Sequence, residues 1–261
     1  MSPSLRVLSL GAGVQSTTML LMAMRGEFGD TPDVAIFADT QWEPPEVYRH
    51  LAYLKSISTI QIRTVTHGNI RREFSRERGG HFITPPLHLL KANGDRAMVR
   101  RQCTKDYKIM PIMREASSML MERGIRKSPG SVEQWIGISL DEVQRMKDSR
   151  VKYIVHRWPL IEKRMRRGEC VEWLTRNDYP IPPKSACIGC PFADDRRWWG
   201  LKLNSPLAWA DAVEADRSVR NLAGSIGQYY LHRSCVPLDQ VRFSTERDNG
   251  QGDLWTNECE G

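Results

Sequence analysis

The chain has 261 residues, of which 40% are hydrophobic and 26% are charged, and its formal net charge is +7 with a pI near 9.2. This composition is that of an ordinary globular protein, long enough for one large domain or a domain with a subdomain. Because no apolar run approaches the length of a membrane span and the N-terminus lacks a signal-peptide pattern, we expect a cytoplasmic protein that does not contact membranes. The positive charge suits a nucleic-acid or nucleotide partner.

A glycine-rich turn lies between the first predicted strand and the first predicted helix. Residues 6–10 are an apolar run typical of a buried strand, and Gly11-Ala12-Gly13 leads into a helical segment that begins with hydroxyl residues. A helix start offers unpaired N–H groups to an anion, and positive φ at the two glycines would let a phosphate approach. The missing lysine excludes a Walker A loop, and Ser16 in place of a third glycine excludes a Rossmann motif. A tight turn without a ligand is the alternative.

The following segments alternate strand and helix patterns. Residues 34–40 form a continuous apolar run that ends in Asp39-Thr40, which favours a parallel strand covered on both faces. A helix over residues 46–56 and a third strand over residues 60–65 complete a β-α-β-α-β order. This order predicts a doubly wound, mostly parallel α/β sheet, in which ligands bind at the carboxyl ends of the strands. Both Asp39 and the glycine-rich turn fall at that edge.

The second half of the chain is predicted to be mainly helical. Residues 67–102 combine turn residues with arginines, which indicates either a solvated surface loop or a basic lid over phosphates. We predict a nucleotide-binding α/β domain over residues 1–160 and a C-terminal helical region with a CxxC motif over residues 161–261. The elements expected after residue 102 are helices over 107–123, 162–176 and 207–222, and strands over 133–139 and 153–155. Trp198 and Trp199 lie beside two arginines, and they would either stack on bases or pack in the core.

The six cysteines favour a metal site or catalysis over disulfides in an intracellular chain of this length. Cys187 and Cys190 are separated by Ile-Gly, a spacing that lets two thiolates bind one metal. A redox pair of the thioredoxin type is the alternative. A metal would need further ligands, for which the candidates are Cys103 and either Cys235 or His232.

Five segments together resemble the phosphoadenosine-phosphosulfate reductase-like group of the PP-loop superfamily, which contains the N-type ATP pyrophosphatases and their relatives. The segments are SLGAGVQST, FADTQWEPPEVY, CTKDYKIMP, WPLIE…CVEWL…YPIPP and CIGCPF, and they extend over about residues 6–192. Gly11, Gly13 and Ser16 match the family's SGGxDS loop. Gln15 stands at the position of its acidic residue, as in the reductase branch.

The resemblance implies an adenosine-nucleotide site at the edge of the sheet, where ATP and magnesium bind. Asp39 would hold the nucleoside or the magnesium ion, and Lys108 and Arg145 would stabilise the charge that develops on phosphate. The residues expected to hold the nucleotide are Gly11, Gly13, Gln15, Ser16, Thr17, Asp39 and Thr40. The resemblance also implies a 4Fe-4S iron–sulfur cluster, with zinc as the alternative metal. Its expected ligands are Cys103, Cys187, Cys190 and Cys235.

The expected function is an ATP pyrophosphatase that adenylates a nucleic-acid group for sulfur insertion, as in DNA phosphorothioation or tRNA thiolation. Its partners would be DNA or tRNA and a sulfur donor such as a cysteine desulfurase, and a homo-oligomer is compatible with this expectation. One alternative is a reductase of phosphoadenosine-phosphosulfate or adenylyl-sulfate, for which Cys259 is the only late cysteine. Another is a non-catalytic module that binds nucleotide or nucleic acid, which the absence of an acidic residue at Gln15 leaves open.

Overall fold

The chain forms two compact units in the computed structural model, which describes residues 3–73, 85–222 and 226–244. Unit 1 comprises Met1–Ile70 and Cys103–Cys187, and unit 2 comprises Arg71–Gln102 and Ile188–Gly261. The boundary predicted after residue 160 therefore falls inside unit 1. In the described part of the chain, no helix is long and apolar enough to cross a membrane.

Strands and helices alternate along most of the described chain. In order, the elements are β1 (Leu5–Leu10), α1 (Val14–Met24), β2 (Val34–Asp39), α2 (Pro45–Ile57), β3 (Ile62–Thr66), α3 (Ile70–Glu73), β4 (His88–Lys91), β5 (Arg96–Met98), α4 (Met110–Glu122), β6 (Val132–Ile136), β7 (Ile154–Arg157), α5 (Pro159–Glu162), α6 (Arg167–Arg176), α7 (Asp195–Asn204), α8 (Pro206–Val219) and β8 (Gly227–Tyr230). A π-helical turn at Lys105–Ile109 precedes α4, and two 3-10 helices cover Leu140–Arg145 and Leu238–Gln240.

Unit 1 is built on a five-stranded sheet with the order β3-β2-β1-β6-β7, in which every neighbouring pair is parallel. Alternate residues of β1 point to opposite faces: Leu8 and Leu10 pack with α1, α2 and α6, whereas Leu5 and Val7 pack with α4. Helices thus cover both faces, which explains the continuous apolar runs of the central strands. The prediction of a doubly wound, mostly parallel α/β fold is confirmed.

The helix predicted over residues 162–176 is wrong as a single element. The chain leaves the helical conformation after Glu162, and Arg164 has a φ of +54°. A new helix, α6, begins at Arg167, where the Glu169 carboxylate accepts a hydrogen bond from the Arg166 N–H group at 2.6 Å. This bond caps the start of a second helix, and apolar spacing alone does not reveal it.

Unit 2 contains a three-stranded antiparallel sheet with the order β5-β4-β8, accompanied by α7 and α8. The hairpin β4-β5 turns at Asn93-Gly94, where Gly94 has a φ of +86°. Part of the stretch predicted as a loop or lid is therefore a sheet. Trp198 is fully buried and packs edge to face on Trp209, so packing is the correct alternative for this residue.

Candidate functional site

The glycine-rich turn connects β1 to α1 at the carboxyl edge of the parallel sheet. The left-handed residue of this turn is Ala12, with a φ of +56°, whereas Gly13 is extended and begins the helix as its N-cap. The prediction that Gly11 and Gly13 supply positive φ is therefore wrong. The absence of side chains at the two glycines still leaves the backbone accessible: Gly11 is exposed and Gly13 is half-buried.

The hydroxyl groups of Ser16 and Thr17 form hydrogen bonds with other groups of the protein. The Ser16 hydroxyl accepts from Gly11 N–H at 3.1 Å and donates to the Gly13 carbonyl at 3.3 Å, so it fixes the shape of the turn. Thr17 is fully buried, and its hydroxyl lies 3.0 Å from His50 Nε2. Burial lowers the pKa of His50, which favours the neutral ring in this contact. The groups left for an anion are the N–H groups of the first helical turn.

Gly137 lies against the start of α1 at the carboxyl end of β6. A Cβ atom at Gly137 would lie 3.1 Å from Ser16 N and 3.2 Å from Ser16 Cα, closer than most such contacts in proteins. The neighbours β1 and β6 form the topological switch point of the sheet, because β2 follows β1 towards one edge and β7 follows β6 towards the other. Open α/β sheets bind ligands at such a point. Gly137 allows the two strand ends to approach each other there. The sequence pattern gave no signal for Gly137, because its role depends on Ser16, which is distant in the chain.

Gln15 connects the helix start to the segment after β6. Its Nε2 lies 3.4 Å from Ser139 Oγ and 3.5 Å from Glu142 Oε2, and its Oε1 accepts from Arg167 Nη1 at 3.3 Å. An amide suits this position because it donates to a carboxylate and accepts from a guanidinium at once. A carboxylate at residue 15 would repel Glu142. The same Glu142 pairs with Arg145, whose side chain is 61% exposed.

Asp39 ends β2 at the same edge of the sheet. Its Oδ1 accepts hydrogen bonds from Gln41 N–H at 2.7 Å and from the Tyr48 hydroxyl at 2.8 Å. Burial and the neighbouring Asp39 carboxylate raise the pKa of Tyr48, so this hydroxyl remains a donor at neutral pH. These two donors fix the orientation of the carboxylate at the position that sequence analysis assigned to the nucleoside or magnesium.

The buried carboxylate of Glu43, close to Asp39 in the sequence, contacts three of the predicted site residues. Glu43 is only 1% exposed in its side chain, and its Oε1 lies 3.2 Å from Thr40 Oγ1, 3.4 Å from Lys108 Nζ and 3.7 Å from Cys187 Sγ. Thr40 Oγ1 is also 3.2 Å from Cys187 Sγ. The structure thus brings together Thr40, Lys108 and Cys187, and Glu43 is the residue that connects them.

Two buried oxygen atoms of this region, Glu43 Oε2 and Thr104 Oγ1, lack hydrogen-bond partners among the described residues. Thr104 and Lys108 are four residues apart on the helix that contains the π-helical turn. Such turns occur frequently at functional sites, and an unsatisfied buried polar atom calls for an explanation. Glu43 gave little signal in the sequence, because the two prolines after it are typical of a helix start.

The predicted metal ligands are divided between the two units. Cys103 and Cys187 belong to unit 1, whereas Cys190 and Cys235 belong to unit 2. Within residues 3–73, 85–222 and 226–244, no group of three or more His, Cys, Asp or Glu side chains is arranged to hold a metal ion. Burial raises the pKa of the Cys235 thiol. The iron–sulfur site stays a prediction.

The arginines of the predicted lid are only partly described. Arg71 forms an ion pair with Asp211 at 2.7 Å, and the Arg101 guanidinium lies 5.1 Å from the centre of the Phe192 ring, both within unit 2. Arg76 and Arg78 lie outside the described residues, as does Cys259.

Comparison with protein-family models and with curated proteins finds no match to this chain. Among solved structures, the chain is similar to the phosphoadenylyl-sulfate (PAPS) reductase from Candida auris, determined as a phosphate complex. The sequence identity is 16%, the TM-score is 0.43, and the similarity covers 69% of this chain and 75% of that chain. A similarity at this level does not assign the chain to a family. The functional conclusion therefore rests on the geometry of the site.

Proposed function

We propose that this chain is an ATP pyrophosphatase of the PP-loop type, which adenylates an oxygen of a nucleic-acid group so that sulfur can replace it. The observation that carries the proposal is the construction of the switch point in unit 1. There, the start of α1 lies against Gly137, while Asp39 ends the adjoining strand. Free N–H groups, a helix dipole and an oriented carboxylate at the carboxyl edge of a parallel sheet suit a nucleoside triphosphate.

The proposed chemistry transfers the adenylyl group. An oxygen of the acceptor attacks the α-phosphorus, the bond between this phosphorus and the bridging oxygen breaks, and pyrophosphate leaves. Negative charge accumulates on the phosphate oxygens, so cations at the site stabilise the transition state. Magnesium, when bound with the triphosphate, supplies part of this neutralisation, and the Asp39 carboxylate is a ligand of the kind it prefers.

The chain's own cations would supply the rest. Lys108 and Arg145 each pair with a carboxylate, Glu43 and Glu142 respectively, and these pairs hold the two cations at the ends of β2 and β6. Both carboxylates would then orient the cations toward the phosphates. The phosphate role predicted for the Thr17 hydroxyl is not part of this proposal, because that hydroxyl is occupied by His50.

The proposal also specifies a nucleic acid as the substrate and a sulfur nucleophile for the second step. A net charge of +7 favours approach to nucleic acid, and exposed arginines such as Arg100 supply cations in unit 2. After adenylation, a sulfur nucleophile would attack the activated atom, and AMP would leave with the electron pair of the broken bond. The Cys187 thiol, 3.7 Å from Glu43 Oε1, supports a sulfur step at this end of β2. Iron and sulfide analysis of protein prepared without oxygen tests the predicted cluster.

The proposal is tested by pyrophosphate release from ATP, measured with and without single-stranded DNA or tRNA. We expect release that depends on one of these nucleic acids. Asp39→Asn should lower the rate about tenfold to a hundredfold, because an interaction with a charged group contributes about 1.5–3 kcal/mol. Asp148→Asn is the matched control, since Asp148 is an exposed acid of unit 1 that lies outside the site.

Other results would favour the alternatives. Sulfite release from phosphoadenosine-phosphosulfate with a dithiol partner, without pyrophosphate release from ATP, would identify a reductase. Binding of ATP without any turnover, in the presence of either nucleic acid, would identify a non-catalytic module. Equal rates for Asp39→Asn and Asp148→Asn would remove Asp39 from the mechanism.

A further inference from the structure

Unit 2 contains a cavity of about 610 Å³, and all the residues that line it belong to this unit. Three arginines, Arg96 of β5 together with Arg233 and Arg242, contribute to its wall, and Asp195 and His232 are the other ionisable groups there. This volume is typical of pockets for small organic ligands. The lining is positively charged, so an anion is the expected occupant.

Asp195 and His232 form the buried base of this cavity. Asp195 Oδ1 lies 3.2 Å from His232 Nε2 and 3.0 Å from Arg233 Nη2, and its Oδ2 accepts from Ser244 N–H at 3.2 Å and from the Ser244 hydroxyl at 3.0 Å. Four donors therefore surround this carboxylate. Burial by itself would raise the pKa of Asp195, but these donors together lower it. Its negative charge is compensated and does not repel an anion in the cavity.

The tautomer of His232 follows from its neighbours. Ser234 N–H points to Nδ1 at 3.2 Å, so Nδ1 is the acceptor and Nε2 carries the hydrogen that is donated to Asp195. The Ser234 hydroxyl lies 2.7 Å from the same Nδ1. Both ring nitrogens are thus satisfied, and the ring supports the chain from which Arg233 extends.

The wall of the cavity is anchored by a second buried acid. Asp216, which is 1% exposed, accepts from Leu231 N–H at 2.8 Å and from Leu238 N–H at 3.0 Å, and it pairs with Arg220. These bonds fix the segment that precedes Arg242 at two points. The cavity is therefore shaped by buried hydrogen bonds before any ligand arrives.

Arg96 and Arg242 have no acidic partner within the described ranges 3–73, 85–222 and 226–244. Arg233, by contrast, is paired with Asp195. Two guanidinium groups without counter-ions in one cavity attract an anion. Phosphate suits them, because a guanidinium can donate two parallel hydrogen bonds to its oxygens.

We propose that this cavity binds a nucleotide unit of the polynucleotide substrate, with Arg96 and Arg242 on its phosphate. The proposal rests on the function proposed above and assigns part of the recognition of the polymer to unit 2. A site that uses only phosphate would contribute affinity and position without reading the base sequence.

The test is the affinity of the full chain for a fluorescein-labelled single-stranded oligonucleotide, measured by anisotropy over a range of salt concentrations. The double variant Arg96→Gln, Arg242→Gln should bind about tenfold or more weakly. Its slope of log affinity against log salt should be smaller by about 0.7 for each phosphate that the variant no longer binds. The control, Arg49→Gln with Arg150→Gln, removes the same charge from exposed positions of unit 1 and should retain the slope.

The proposal is overturned if both double variants, shown to be folded by circular dichroism, change the slope equally. It is also overturned if the Arg96, Arg242 variant loses affinity for inorganic phosphate or ATP while oligonucleotide binding stays the same, or if the unmodified chain binds no oligonucleotide. Pyrophosphate release that still depends on nucleic acid in the Arg96, Arg242 variant, together with unchanged binding, would reject this cavity and leave the proposed function standing.

Discussion

Among single residues, Tyr48 connects two parts of the candidate site, because its hydroxyl bonds to both Asp39 and Glu43. It donates to Asp39 Oδ1 and accepts from Glu43 N–H at 3.4 Å. We expect Tyr48→Phe to lower the free energy of unfolding by about 1–3 kcal/mol, because both partners lose a hydrogen bond in a partly buried place. Pyrophosphate release from ATP should also fall, since Asp39 loses one of its two orienting donors. Urea denaturation and the release assay measure these effects.

The control for this prediction is Tyr53→Phe in the same helix. Tyr53 is half-buried and packs against the core of unit 1, and within the described chain its hydroxyl forms no hydrogen bond. Its removal should change stability by less than about 0.5 kcal/mol. Equal losses from the two substitutions would show that the Tyr48 hydroxyl does not hold Asp39.

The sequence predicted the position of a site residue only where that residue directly follows a recognisable strand. The glycine-rich turn and Asp39 each follow a continuous apolar run, so their place at the sheet edge could be predicted. Glu43 and Gly137 could not, because their roles depend on side chains and backbone that are distant in sequence: Lys108 and Cys187 for the former, and Ser16 for the latter.

At the level of secondary structure, Gly227 allows β8 to pair closely with β4 in the sheet of unit 2. It opens β8 opposite Lys91 of β4, and a Cβ atom there would lie 2.2 Å from the Leu90 carbonyl oxygen. We expect Gly227→Ala to destabilise unit 2 by about 1–3 kcal/mol or more, because the backbone of β4 must move. Hydrogen exchange of the β4 amides should accelerate, which assigns the loss to this strand pair.

The same substitution should have the opposite effect at Gly200 in α7. A Cβ atom at Gly200 would meet nothing within 4 Å, and the residue lies inside a helix. Gly200→Ala should therefore stabilise by about 0.5–1 kcal/mol, since alanine restricts the unfolded chain and favours helix. If Gly227→Ala is as stable as the unmodified chain, the close approach of β8 to β4 is wrong.

The two sheets differ in how far the sequence predicts them. The central strands β1 and β2 of unit 1 were predictable because burial on both faces produces apolar runs of five or six residues. The strands HLLK, RAM and GQYY of unit 2 are three or four residues long and half polar, too short for alternation to be distinguished from a loop. Pairing between β4 and β8 also joins distant parts of the chain, which a local pattern does not contain.

The whole molecule should lose stability in mild acid. Three histidines have pKa values below the ordinary 6.5, with desolvation as the main cause in each: the buried His50 of unit 1, and the half-buried His88 and buried His232 of unit 2. Each ring stays neutral in the folded chain, whereas the unfolded chain takes up a proton below about pH 6.5. The free energy of unfolding should therefore fall below that pH, by up to about 1.4 kcal/mol per pH unit for each histidine.

Urea denaturation between about pH 7 and about pH 5 measures this slope. Asp216 acts in the other direction, because burial raises the pKa of its carboxyl and protonation then relieves the folded chain. His50→Gln, which retains a polar partner for Thr17, should reduce the slope. A stability that is constant or rises on acidification would contradict the prediction.

The interleaved order of the units has a consequence for synthesis on the ribosome. The last strand of unit 1, β7, ends at Arg157, so all strands of this unit have been made before the last third of the chain. The strand β4, by contrast, is made early and pairs with β8, whose residues Gly227–Tyr230 come near the end. At on the order of 10 residues per second, the hairpin β4-β5 waits about ten seconds for its third strand. During that interval one edge of β4 has no partner, and a nascent chain in this state is open to pairing with another copy of itself.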